Sequence, residues 1–378
     1  MSAAKTFAYQ GLRVCVFANE PHLAWLEEFL APSFSVDSGT DADCTVTIVS
    51  DDTDYQGMID RGPDSSGDEV NCFILDSAIV RLPLWKSRSD ENVFFDQRFK
   101  VFYCIDRNRA RVRLLTRPDN LDVRFALMRV VREFAMSFSR GSDSIVIHGA
   151  AFTAGDDGIL IAGPKRAGKT SLLIHCLQVA GRQFISNDRV VVNIGGREPA
   201  LHGMPTLVTV RDQTLNFFPQ FERTLLENHY DYRLTIEELR QNGFYGQRKR
   251  SGNPLDITPA QFCALLGIGM RGQSPLRMLL FPKISETTPG IELRKLSSPD
   301  AAERLSTSLF GSYPSGRISE VFALPSPDAY TDQADLQSVC TALTNQVECF
   351  DCFLGCSAYQ QGASIPNLLN HSSNMPSL

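Results

Sequence analysis

Short apolar runs separated by polar turns dominate the first third of the chain. Leu12 to Phe17, Thr45 to Val49, Val70 to Leu75, Lys100 to Ile105 and Ala110 to Leu115 each read as a β-strand. The stretch from Asp51 to Asp68, which includes Pro63-Asp64-Ser65-Ser66-Gly67, carries turn chemistry and little to bury, so it predicts a surface loop. After Arg117-Pro118-Asp119-Asn120 the period changes. Leu121, Phe125, Met128, Val131, Ala135 and Phe138 recur at helical spacing and predict one apolar stripe, which suits packing against a following domain. Arg140-Gly141-Ser142-Asp143 ends that helix and marks a boundary, so residues 1–141 form a mixed α/β domain in which no catalytic constellation stands out.

A second α/β domain is predicted over residues 142–366. It opens with the strand Ile145 to Ala150, a turn at Gly155-Asp156-Asp157-Gly158 and a buried strand Ile159 to Ala162. A helix from Ser171 to Ala180 stops at Gly181, and strands follow at Gln183 to Ser186 and Val190 to Ile194. The segment from Asp212 to Arg277 is weakly patterned. Regularity returns with a strand from Met278 to Phe281, another near Ile291 to Leu296, helices over Pro299 to Leu309 and Thr331 to Asn345, and a closing strand from Val347 to Gly355. The polar tail, 367–378, predicts fraying.

Composition narrows the function classes. The chain has 378 residues, 43% of them hydrophobic and 21% charged, which suits two packed globular domains. A formal charge of −6 argues against nucleic acid or a membrane surface as the main partner, because both call for a concentrated basic face. No apolar run approaches the roughly 18 residues of a membrane span, and Met1 to Gly11 lacks a signal pattern, so a cytoplasmic protein is expected. The ten cysteines mostly sit in strand-like runs such as Val14-Cys15-Val16, where they read as small buried hydrophobes. Cys349, Cys352 and Cys356 have a spacing that can hold zinc or an iron–sulfur cluster, with Cys340 as a distant fourth ligand. The alternation of Val347 to Gly355 favours packing residues instead.

The chemistry concentrates at Gly163-Pro164-Lys165-Arg166-Ala167-Gly168-Lys169-Thr170-Ser171. The first eight residues satisfy GxxxxGK[ST], between an apolar strand and an amphipathic helix, the context this P-loop motif requires. Glycines let backbone N–H groups approach phosphate oxygens, and a helix N-terminus adds its positive end. Lys169, expected to face solvent, would bridge the β- and γ-phosphates of ATP, and the Thr170 hydroxyl would complete a magnesium shell. Asp188, just beyond Phe184-Ile185-Ser186, suits the acidic metal partner, although an Asp there also suits a turn. His148 ends the strand before the P-loop strand; a lone His on an apolar strand is more often structural. Arg248-Lys249-Arg250, between Gly246 and Gly252, reads either as a lid or as a solvated loop.

The order of His148-Gly149, Ile159 to Ala162, Gly163 to Thr170 and Phe184-Ile185-Ser186-Asn187-Asp188-Arg189-Val190 resembles the HPr kinase family and its relatives. The likeness spans roughly residues 124 to 210, with weaker matches at Phe281-Pro282, Ala301 to Leu309 and Val347 to Gly355. It implies an HPr-kinase-like P-loop domain, a place for His148 on the acceptor side, and a kinase using ATP and Mg2+ to phosphorylate a hydroxyl of an unidentified peptide, protein or metabolite. Two departures stand out. The first Asp of the family's acidic pair is Asn187 here, and the family's Pro-Gly-Arg-Asn segment is absent. Catalysis is therefore assigned to His148, Lys169, Asn187 and Asp188, with Asn187 as a hydrogen-bonding orienter. A nucleotide-gated regulatory pseudo-kinase and an ATP-using enzyme that activates a carboxylate are the alternatives, and homo-oligomerisation stays open.

Overall fold

The computed structural model describes residues 3–65, 67–75, 78–87, 91–106, 110–139, 143–215, 218, 222–223, 230–241, 255–288, 290–309 and 333–355. It is mixed α/β and divides into two compact units, one holding the described residues up to Ser139 and the other those from Asp143 onward.

In the first unit, β1 (Ala3–Tyr9), β2 (Leu12–Ala18), β3 (Ser35–Asp37), β4 (Cys44–Ser50), β5 (Glu69–Leu75), β6 (Ala78–Ser87), β7 (Glu91–Asp96), β8 (Val101–Asp106) and β9 (Arg111–Thr116) form one nine-stranded sheet. Its order is β3-β1-β2-β4-β9-β8-β7-β6-β5, with β2–β4 and β4–β9 parallel. Helix α1 (Glu20–Leu30) starts at Asn19, whose side chain accepts from the His22 amide, and buries Leu23, Trp25, Leu26, Phe29 and Leu30. The predicted surface loop from Asp51 to Asp68 is instead largely helical. Asp51 caps α2 (Asp52–Arg61) by accepting from the Asp54 amide, and acidic Asp52 and Asp54 favour its positive end. Tyr55, Met58 and Ile59 lay an apolar face against Phe95, Phe102 and Leu115, three contacts among polar residues that composition alone does not reveal.

Helix α3 (Val123–Phe138) replaces the expected single stripe with burial nearly all round; Leu121 and Phe138, the two ends of that stripe, are exposed. It packs on α1, β2, β4 and β9. Its buried charges have partners: Arg129 faces Asp96 at 3.7 Å, and Arg124 Nε donates to His22 Nδ1 at 3.2 Å. Burial pushes the Asp96 carboxyl above its usual range, against the opposing pull of Arg129.

In the second unit, β10 (Ser144–Ala154) is long enough to serve several neighbours. Its first half pairs with β13 (Arg189–Asn193), and its second half pairs with β11 (Asp157–Ala162) and β12 (Arg182–Ser186). Continuing through β14 (Ala200–Met204) and β18 (Gln273–Ser285), the ladder β10-β13-β14-β18-β11 returns to β10 as a closed circuit. β20 (Glu348–Gly355) and β19 (Ile291–Lys295) extend it, so β11, β18 and β20 run parallel and present their carboxyl ends together. β17 (Gly269–Met270) edges β12, and β15 (Val208–Val210) pairs with β16 (Leu255–Ile257).

Helix α4 (Lys169–Leu177) packs Leu172, Leu173 and Leu177 into one core layer, with Phe152, Phe184, Ile161 and Leu280. The opposite layer takes Ala301, Ala302 and Leu305 of the helix over Ser298–Ser306, and Leu343 of the helix over Gln333–Thr344. Each fully buried Leu or Phe in these layers is worth roughly 1.5–3 kcal/mol of transfer free energy. The weakly patterned stretch also folds in part, as short helices over Asp212–Leu215 and Ile236–Gln241 and a longer one over Pro259–Leu266. The last has a capping box between Thr258 and Gln261 and ends at Gly267. These are local signals that a search for apolar periodicity passes over.

The strand Glu348–Gly355 decides between the two readings of the cysteines. Alternation sends Cys349 into one core layer, with Cys340, and Cys352 into the other, beside Cys176. One ion cannot bond both Cys349 and Cys352, while Cys356 lies outside the described residues. Burial pushes the Cys349 and Cys340 thiols up to about 12.

Candidate functional site

The loop between β11 and α4 leaves the carboxyl end of β11 beside Pro282 of β18. Gly168 is the N-cap of α4 at φ +99°, a conformation that favours glycine, and it supplies no side-chain cap to the first helical amides. A Cβ there would also sit 3.1 Å from Leu354. Arg166 adopts φ +69°, a non-glycine residue held in the left-handed region inside the same loop. The helix begins at Lys169 rather than Ser171, so Thr170 and Ser171 fall in its first turn, half-buried.

Lys169 differs from its expected posture. Instead of facing solvent it is 8% exposed, because its ammonium turns back into the loop and donates to Gly163 O at 2.7 Å and Pro164 O at 3.0 Å. Desolvation lowers its pKa to about 8, opposed by the charge of Asp188. A buried cation encircled by backbone is a strong local source of positive potential. Pro164, Lys165 and Arg166 are exposed at the rim, and Ala167 donates its amide to Pro164 O.

The second half of the site is built by β10 and the β12–β13 turn. His148 pairs with Arg189, and the Gly149 amide extends the ladder to Asp188 O at 3.0 Å. A Cβ at Gly149 would lie 2.8 Å from Ile161 O and 3.0 Å from a Leu160 methyl, so only glycine lets β10 and β11 close up here. His148 Nδ1 lies 3.1 Å from Asp188 Oδ1 and 3.2 Å from Asp188 O. Arg189 Nε stands 3.6 Å from Asp188 Oδ2. His148, Asp188, Arg189 and Lys169 thus form one electrostatically connected group on the residues flanking the loop. Arg189 adds a cation that the residue pattern did not single out, although it directly follows Asp188.

Asn187 does not join that group. Its Oδ1 accepts from the Thr206 hydroxyl at 3.0 Å, its Nδ2 donates to Leu207 O at 3.0 Å, and it is 9% exposed. Both halves of the amide are consumed in tying the β12–β13 turn to residues 206–207, alongside Ser186 Oγ, which donates to Arg189 O and Met204 O. Thr206 carried no signal in the sequence; only the fold brings it to Asn187. The Asn187→Asp variant is accordingly expected to lose stability rather than gain activity. A carboxylate would face the Leu207 carbonyl without a proton to donate, a loss of roughly 1–3 kcal/mol. The introduced carboxyl is pushed above its ordinary value of about 3.9 in the fold, so the native state holds the proton more tightly than the unfolded chain. Stability should then be near wild type at low pH and fall as pH rises through that interval. Urea melts at pH 4 and pH 7.5 check this, and an equal midpoint shift at both values would refute it.

Among the described residues, no three His, Cys, Asp or Glu gather closely enough to hold a metal by themselves. Arg248-Lys249-Arg250 lies outside the described residues, and no helix among them is long and apolar enough to cross a membrane. No protein-family model matches the chain, and no curated protein matches it.

Proposed function

We propose that the protein is a magnesium-dependent phosphotransferase that binds ATP at the Gly163–Thr170 loop, as an HPr-kinase-like P-loop domain does, and passes its terminal phosphoryl group to a hydroxyl. One observation carries the reading: a buried lysine ammonium clasped by the loop's own carbonyls, at the uncapped N-terminus of a helix and electrostatically coupled to Asp188. Phosphate oxygens are stabilised by such a helix end and cation. The donors suit magnesium, because Thr170 and Asp188 offer two oxygens to a hard cation that takes its remaining ligands from phosphates and water. A bound ion would neutralise charge developing on the transferring group.

The chain's own part is positioning and electrostatics. Lys169 would exchange its carbonyl partners for the β- and γ-phosphate oxygens, the first amides of α4 would hold the β-phosphate, and His148 would stand on the acceptor side, held by Asp188. The test is equilibrium binding of ATP with and without magnesium, followed by release or transfer of γ-labelled phosphate. Micromolar, magnesium-dependent binding and labelled transfer are expected. Absence of nucleotide binding would end this reading, and binding without cleavage would favour the regulatory alternative.

A further inference from the structure

β18 outlasts its neighbour β11. Their pairing ends at Ile161 with Leu280, yet β18 runs on to Ser285. The loop that follows β11 lies against this overhang: a Cβ on Gly163 would stand 3.7 Å from Pro282 Cδ, and one on Gly168 would stand 3.9 Å from Ile284 Cγ1 and 3.1 Å from Leu354 Cδ1. Alternation sends Pro282 and Ile284 to the same face as Met278 and Leu280, the face that carries α4. Leu354, in register with Ile284 on β20, is 1% exposed, whereas Ile284 is 68% exposed, the most exposed large hydrophobic among the described residues. A single apolar side chain on a surface needs no explanation in itself. What singles out Ile284 is its place beside the glycine at which α4 begins, next to the helix amides assigned above to phosphate.

The two flanks of the loop strand decide which part of a ligand reaches this side chain. β11 pairs with β10 on one side and with β18 on the other. His148 belongs to β10, and Asp188 is tied to the same strand through its carbonyl, which accepts from the Gly149 amide. The reacting end of a triphosphate belongs with these two residues, which leaves the β18 flank for the nucleoside. We propose that, with a triphosphate bound at the loop as read above, Ile284 is the platform on which its purine base rests. A purine offers a flat apolar face. A β-branched side chain whose backbone is paired to β20 presents a fixed apolar surface to it, because χ1 is restricted. Contact removes apolar area of both partners from water, a gain that inorganic tripolyphosphate cannot make. Ile284 thus selects for the nucleoside, while Lys169 and the loop hold the phosphates.

Affinities of the full chain for ATP and for inorganic tripolyphosphate, both with magnesium, separate the two contributions. Ile284→Asn, with its fold verified by thermal melting, should weaken ATP about 10-fold and tripolyphosphate less than about 2-fold. Ile284→Trp should act in the opposite direction, tightening ATP by about 10-fold through stacking. Its added indole should be quenched by ATP and not by tripolyphosphate, a signal that wild-type protein lacks. ATP affinity unchanged in Ile284→Asn, an equal loss for both ligands, or an added indole indifferent to ATP overturns the platform while leaving the loop as a triphosphate site. Failure of the wild-type chain to bind either ligand would overturn both readings.

Discussion

Replacing Lys169 with Ala is expected to lower ATP-dependent turnover by about 10³-fold or more and to weaken triphosphate binding roughly 10–100-fold, with the fold intact. The ammonium is the only part of the side chain with polar work to do, and its partners are Gly163 O and Pro164 O. Pro164 is exposed, so water can take over at that carbonyl and limit the loss of stability. The proposed interaction with phosphate, by contrast, would be a charge-assisted contact in a partly dry loop, and its loss would be felt most where charge develops in the transition state. The lowered pKa, to about 8, adds a pH signature. Bound phosphate favours the protonated amine, so binding takes up a proton once the free protein has lost it, and affinity should fall as pH rises above about 8. Folding responds in the opposite direction. The unfolded lysine binds more protons than the folded one between about pH 8 and its ordinary 10.5, so this group makes the protein more stable across that window. Lys169→Ala should abolish both trends. Calorimetric binding at pH 7 and pH 9 checks the first and thermal melts the second; unaltered turnover in the variant would remove the loop from the chemistry.

Asp188→Asn is expected to cost roughly 10³-fold in phosphoryl transfer while changing stability by less than about 1 kcal/mol. The carboxylate is 39% exposed and nearly isosteric with the amide, so little packing is lost. What changes is charge: Oδ1 anchors His148 Nδ1, Oδ2 lies near Arg189 Nε, and the same carboxylate opposes the desolvation of Lys169. An amide can keep its oxygen on His148 only by turning its NH2 toward Arg189, a donor against a donor. It is also a poorer ligand for a hard cation. Turnover measured over a range of magnesium concentrations, beside a thermal melt, separates these effects. Activity close to wild type would make Asp188 a turn residue, and a large drop in melting temperature would make its role structural.

Local chemistry was legible along much of the chain. Strands such as Cys44–Ser50 and Arg111–Thr116 lie within a residue or two of the apolar runs that predict them, because alternation and β-branched side chains act over a few neighbouring positions. The glycine-rich loop and the helix after it were recognisable for the same reason: Gly168 at φ +99° and the first turn of α4 are set by adjacent residues. Asp52–Arg61 and Pro259–Leu266 are marked by caps at Asp51 and at Thr258 with Gln261 rather than by a long apolar period, so periodicity alone does not reveal them.

The sequence by itself singled out Gly163 to Thr170 and Asp188 as candidates for phosphate and metal binding, because such motifs depend on residue type and short spacing. Only the tertiary structure decided what each of them touches. His148 and Asp188 are 40 positions apart and meet because β10 pairs with β13. Asn187 is withdrawn from the site by Thr206 and Leu207, 19 and 20 positions away. Lys169 is buried rather than solvent-facing, and Cys349 and Cys352 part company across a sheet. Each of these outcomes depends on strand pairing between distant segments, whose register is fixed by burying the correct face over the whole sheet and by the entropy of closing long loops. No window of neighbouring residues contains that information.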